Sequence, residues 1–279
     1  MNILDTIIAK KKVEVDERKR SKSIAELENG PFFKNKVLDF KEYLLKEDKT
    51  GIIAEYKRRS PSKGIINSSA TVKEVTNAYT QYGASGLSIL TDEDFFGGSL
   101  NDLLEATINK VPLLRKDFII DEYQLVESKA FGADIILLIA ACLKKEEVKS
   151  LAASAKNIGL NVLLEIHNEA ELEHICDEAD VVGVNNRDLK TFTVDINRSI
   201  DLSKKIPAGK IKISESGIDD VASIKLLQQH GFKGFLIGEK FMKENDPGEA
   251  FKKFAEELNK NNENKSLRNN TGRSVKATG

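Results

Sequence analysis

Cysteine is scarce in this chain: Cys142 and Cys176 are the only two among 279 residues. One lies in an apolar run and the other in a helical pattern. Thiols so placed make neither a disulfide framework nor a metal cluster, and they read as buried, reduced thiols of a cytoplasmic protein. Long apolar runs are missing too. No stretch reaches the roughly 18 apolar residues that a membrane span needs. The opening, Met1 to Lys12, lacks an apolar core followed by a small-residue cleavage site. Neither export nor a membrane partner is expected. Nor does charge of one sign dominate: 43 Lys and Arg face 44 Asp and Glu, for a formal net charge of −1. Such a balance gives no global attraction to polyanions, and no basic patch stands out away from the tails, so no nucleic-acid partner is expected.

What is present is a regular alternation. Residues 1–50 place Ile3, Leu4, Ile7, Ile8, Val13 and Val15 close to one face of a helix. The interspersed Glu14, Asp16 and Glu17 favour packing on the chain's own domain over lying on a membrane. Pro31 and Phe32-Phe33 break the pattern, and Phe40, Tyr43, Leu44 and Leu45 predict a second short helix. From Gly51, strands are predicted at 52–57, 87–91, 111–116, 134–139, 161–165, 180–184, 210–214 and 234–238. Helices are predicted near 71–82, 99–109, 123–130, 144–157, 168–178, 195–206, 218–230 and 247–259. Short apolar strands buried on both faces, each followed by a helix, imply parallel pairing through right-handed crossovers. Eight uninterrupted units favour a closed α/β barrel, a (βα)8 TIM barrel with an N-terminal helical extension, over an open doubly wound sheet. The domain is expected to span 1–259, and the polar composition of 260–279 predicts a disordered tail, too small for a second core.

The run Ile52 to Gly64 carries the first chemical signal. Side chains alternate along a strand, so Glu55 and Lys57 share the side of Ile53. With Ile53 inside a barrel, both charges rise at the carboxyl end, where barrels keep their chemistry. One Glu-x-Lys is an ordinary surface pair. Three further strands also end in charge, at Arg115-Lys116-Asp117, Glu165 and Ser214-Glu215-Ser216, and together they describe a shared site. Cationic neighbours such as Lys57 are expected to lower the pKa of Lys116 toward acid/base use. Glu165 ends an apolar run, where an unpartnered carboxylate is costly; Lys116 or Lys57 would offset that. Asn185 and Arg187 follow strand six; arginine can fix a carboxylate or hydroxyl, while Asn185-Asn186 alone is a turn signal. Gly217 and Gly238 follow strands seven and eight, where many barrels bind phosphate on backbone amides.

The stretches IIAEYKRRSPSKG, LSILTDEDFFGGS, PLLRKDFIID, ADIILLIAA, VLLEIHNEAEL, VGVNNRDLKTF, ISESGI and FLIGEKFM, in that order, resemble the indole-3-glycerol-phosphate synthase family from about Met1 to Phe254. The resemblance implies a barrel that closes the pyrrole ring of 1-(2-carboxyphenylamino)-1-deoxyribulose 5-phosphate with loss of CO2 and water, without metal or organic cofactor. It implies Lys116 as general acid, Glu165 as acid/base partner for dehydration, Lys57 near the substrate carboxylate, and Glu55 as the ion-pair partner of Lys57 and a second proton handler, so that these four are the expected catalytic residues. It also implies that Ser60, Asn185, Arg187, Glu215 and Ser216 orient the substrate. Leu90, Phe96, Phe118, Leu137, Ile139, Leu163 and Leu189 would form the apolar pocket, and Gly217 and Gly238 would hold the phosphate. Some members have serine where this chain has Glu239, which is expected to point away from phosphate. A phosphorylated small molecule is thus the expected partner, with a monomer or weak homodimer as the assembly. The rivals are another phosphosugar barrel, either an isomerase or a Schiff-base aldolase using Lys116, and a non-catalytic metabolite binder.

Overall fold

The computed structural model describes residues 3–189 and 191–274, with side chains through 260. Eight parallel strands close a barrel: β1 (Ile52–Tyr56), β2 (Gly86–Leu90), β3 (Leu113–Lys116), β4 (Ile135–Ile139), β5 (Asn161–Ile166), β6 (Val181–Asn185), β7 (Ile211–Glu215) and β8 (Phe232–Ile237), each beside its sequence neighbours, with β8 returning to β1. Strand alternation sorts the apolar residues into two cores. Ile53, Leu114, Leu137, Leu163, Val181 and Ile213 fill the barrel, which Phe40 and Leu44 of the lead-in helix Phe40–Leu45 help to close. Ile52, Ala54, Tyr56, Leu113 and Ile136 face the surrounding helices. Both strand faces are buried, as the near-continuous apolar runs require.

The first helix, α1 (Ile3–Ser21), packs on the barrel with a narrower stripe than the sequence suggests. Its buried positions are Ile7, Lys11 and Val15, one turn apart, while Val13 is 58% exposed. The lysine in the middle of that stripe is accepted because carboxylates of the barrel surround it. A helix expected near 168–178 is only a short 3-10 helix, Glu169–His174. Its apolar anchors, Leu172, Ile175 and Cys176, are only half-buried, too little to hold three turns, and Glu171 is drawn back onto the amide of His167. The loop after β1 contains a small hairpin, Arg59–Ser60 with Gly64–Ile65, and the loop after β2 a short helix, Glu93–Phe96. The last helix, Pro247–Ser274, continues past 259; of the expected polar tail, the side chains of 261–279 and the backbone of 275–279 lie outside the described residues. No helix among the described residues is long and apolar enough to cross a membrane.

Candidate active site

Register brings the charged strand ends to one rim. Glu55 pairs in register with Ser88, Leu90 with Lys116, Ile139 with Glu165, and Asn185 with Glu215. Along β3, Lys116 turns inward between two residues that turn outward. Its Nζ lies 2.8 Å from Glu165 Oε2 and 2.8 Å from Glu215 Oε2. Lys57 lies 2.7 Å from Glu55. All five line one open cleft of about 1040 Å³ at the carboxyl end of the barrel.

The electrostatics differ from the sequence expectation at one residue. Burial favours a neutral Lys116, but Glu165, Glu215 and Glu55 outweigh it and raise its pKa, so the ammonium is firmly protonated. The expected lowering by Lys57 does not occur, because Lys57 is neutralised by its own pair with Glu55. Burial works against an ionised Glu165 as well. Lys116 and His167 overcome it and hold that carboxyl well below its ordinary range. Glu215 is the counterpart: burial, with the charge of Glu165 beside it, outweighs Lys116 and pushes it up to about 7. Its Oε1 is buried without a hydrogen-bond partner. One ammonium between two carboxylates can hold only one of them fully ionised.

Apolar residues line much of the cleft. Phe96 and Phe118 lie with ring centroids 6.2 Å apart, and Leu90, Leu137, Ile139 and Leu189 join them. Leu163 does not; it lies inside the barrel core. A second cleft adjoins the first and shares Lys57, Arg187, Ser216 and Glu239 with it; Gly217 and Gly238 both line it. The turn at Gly217 has φ +71°, next to Ser216 at φ +68°, and a Cβ there would meet Val194 at 2.3 Å. At Gly238 a Cβ would come within 2.7 Å of Glu55 Oε1, so this glycine also makes room for the Glu55 side chain. Asn185 Oδ1 accepts the Arg187 amide at 3.0 Å, the local turn bond, while the Arg187 side chain reaches the cleft. Ser60 is buried and lines the cleft beside Ser62. Glu239 does not point away: it lines both clefts, 3.6 Å from Arg187 and 3.5 Å from Lys63. The two nearby cations draw it in.

Sequence reading missed several residues here. Ile3, Leu4 and Ile7 of α1 line the cleft, and no local pattern announces a contact so distant in sequence. His167 could have been found. It lies two residues beyond Glu165, on the same face by alternation, with its ring 3.2 Å from Glu165 Oε1.

A cleft of acid/base groups on strand ends, apolar on one side and glycine-lined on the other, defines the class: a (βα)8-barrel enzyme. The indole-3-glycerol phosphate synthase family model matches residues 4–254, and the chain belongs to that family, carboxy-lyases of tryptophan biosynthesis. The indole-3-glycerol phosphate synthase of Bacteroides thetaiotaomicron is 50% identical over 254 residues, covering 91% of this chain and 97% of that protein. That of Polaromonas sp. is 40% identical over 254 residues, covering 89% and 96%. Among solved structures, 3-hexulose-6-phosphate synthase from Salmonella typhimurium matches with a TM-score of 0.58 at 13% identity, over 75% of this chain and 98% of that one. A chain of the tryptophan synthase complex from Pyrococcus furiosus matches with a TM-score of 0.55 at 16% identity, over 74% and 96%. At such identities the likeness is one of fold.

Proposed function

We propose that the chain closes the pyrrole ring of 1-(2-carboxyphenylamino)-1-deoxyribulose 5-phosphate to give indole-3-glycerol phosphate, with Lys116 and Glu165 as its main proton handlers. The observation that carries this reading is the Lys116 ammonium held 2.8 Å from both Glu165 and Glu215 at the mouth of an apolar cleft. As the aryl carbon attacks the sugar carbonyl, negative charge grows on the carbonyl oxygen, and Lys116 protonates it. Lys57, neutralised by Glu55, sits by the aryl carboxylate; the apolar wall of Phe96, Phe118 and Leu137 favours its loss as CO2. Dehydration then needs one proton removed and one supplied with the departing water. Glu165, ionised and beside an acid, serves as the base.

Ser60, Asn185, Arg187, Glu215 and Ser216 orient the substrate, Leu90, Ile139 and Leu189 complete the apolar wall with Phe96, Phe118 and Leu137, and the amides around Gly217 and Gly238 take the phosphate in the adjoining cleft. The electrostatics disfavour a Schiff-base aldolase: a lysine nucleophile must lose its proton, and Lys116 is held protonated. A cytoplasmic monomer or weak homodimer is the matching setting. Mixing the protein with the carboxyphenylamino deoxyribulose phosphate should produce indole fluorescence at once. No signal from folded protein would reject the reading, as would a borohydride-trapped adduct on Lys116.

A further inference from the structure

His167 is 6% exposed and has a carboxylate at each ring nitrogen. Nε2 lies 3.2 Å from Glu165 Oε1, and Nδ1 lies 3.3 Å from Glu171 Oε2. Glu171 is itself fixed: it accepts the His167 backbone N–H at 2.7 Å and Asn168 Nδ2 at 2.6 Å. A line of alternating charge results, Glu171, His167, Glu165, Lys116 and Glu215, leading into the cleft. The two Glu165 oxygens are thereby told apart. Oε2 faces Lys116, and Oε1 faces the imidazole. Nδ1 hydrogen-bonds Glu171, whereas Nε2 meets Glu165 Oε1 as an ion-pair contact without hydrogen-bond alignment; a buried ring set between two carboxylates is favoured in its charged form.

We propose that His167 is a positioning residue that grips Glu165 from the side opposite Lys116, with Glu171 as its anchor, and so fixes which carboxylate oxygen meets the substrate. The proposal rests on Glu165 acting as the acid/base group. Every titratable group near the ring fits the role. Burial alone would favour neutral imidazole, but Glu165 on β5 and Glu171 on the 3-10 helix outweigh it and raise His167 to about 9. Cys142, in the turn after β4, is pushed up by burial and by the same two carboxylates, so it stays a neutral thiol. Lys116 and Glu215 act on the ring only through Glu165. His167 therefore keeps its charge across neutral pH and loses it only near pH 9. A cation so close to a carboxylate lowers that carboxylate's pKa by about 1–3 units, so removing it must raise Glu165.

The test is the pH dependence of kcat in wild type, His167→Ala, His167→Gln, Glu171→Gln and Glu165→Gln, with melting temperatures for each. In His167→Ala the acid limb should move up by about one unit or more, with KM on the plateau changed little. His167→Gln keeps a donor but no charge; it should recover part of the plateau kcat and retain the displaced limb. A histidine that only fills the wall would lower kcat or stability without moving the limb, and an unmoved limb overturns the proposal. If His167→Ala does not fold, Glu171→Gln carries the test, with a smaller shift of the same sign expected and none overturning it. Glu165→Gln separates the two levels. Wild-type turnover there overturns the acid/base reading together with this one, whereas an inactive variant beside an unmoved limb overturns only the role of His167.

Discussion

Arg115, Lys116 and Asp117 are consecutive, yet they serve ion clusters on opposite sides of the barrel wall. Arg115 and Asp117 turn outward. The Arg115 guanidinium is fully buried, 2.9 Å from Asp117 and 2.9 Å from Glu127, with further bonds to Thr91 and to the Gln124 carbonyl. Asp117 also meets Lys11 of α1 at 2.9 Å, and Lys11 meets Asp92 at 2.9 Å and Glu14 at 2.8 Å. Burial opposes the charge on Asp117, but Lys11 and Arg115 overcome it and hold the carboxyl well below its ordinary range. The inward cluster is not closed in this way. Lys116 is shared by two carboxylates, and one oxygen of Glu215 is buried against Gly183 without a hydrogen-bond partner. Outside, each charge is answered and the helical extension is locked down; inside, one ammonium is divided between two buried carboxylates, and one of them is left incompletely answered.

This contrast is sharpest in two neighbouring substitutions. Arg115→Ala would leave Asp117 and Glu127 buried beside a missing cation, and breaking a buried pair costs about 3–5 kcal/mol. The urea midpoint should fall accordingly, with activity lost through unfolding. Lys116→Ala should do the reverse: turnover falls by at least about 10² on general-acid magnitudes, while the unfolding midpoint falls much less, because His167 still faces Glu165 and Glu215 can take up a proton. Should Lys116→Ala unfold the protein and Arg115→Ala spare it, the two clusters have been assigned the wrong way round.

The sequence makes the inner cluster far more legible than the outer one. Alternation along β1, β3, β5 and β7 is a local signal, so Glu55, Lys116, Glu165 and Glu215 could be placed on one rim before any coordinates. The same rule sends Arg115 and Asp117 outward, but their partners Lys11 and Glu127 lie in other elements, and no spacing connects them. Lys11 reads as one more solvated charge until the carboxylates around it are seen. The 3-10 turn at Glu169–His174 was hidden for a related reason: its helical pattern lacks enough apolar surface to bury, and Glu171 is engaged elsewhere. No local pattern places Glu239, because the cations that hold it come from the loops after β1 and β6.

The incompletely answered carboxylate has a pH signature. Glu215 is pushed up to about 7 from an ordinary 4.5, so the folded chain holds this proton more tightly than the unfolded one. Its contribution to stability is therefore full below the lower value and is lost as pH rises through the window to about 7. Glu215→Gln has no such loss. Its melting temperature should gain on wild type between those two pH values and keep the gain above them. The kcat/KM profile should also lose an inflection near pH 7. A melting-temperature difference that is flat with pH would show that Glu215 is as well answered as Asp117.

The smallest effect is expected at the other end of the cleft, where Glu239 sits 3.6 Å from Arg187 and 3.5 Å from Lys63 with a third of its side chain exposed. A substrate phosphate entering beside Gly217 and Gly238 brings like charge toward that carboxylate and competes with it for the two cations. Glu239→Gln removes the repulsion and frees both partners. Pairs this exposed are worth about 0.2–1 kcal/mol, so KM should fall by no more than about fivefold. The gain should shrink as salt is raised, because exposed charges are screened over about 10 Å at 0.1 M. A rise in KM would mean that Glu239 holds Arg187 in its binding pose, making this pair a closed cluster like the one around Arg115.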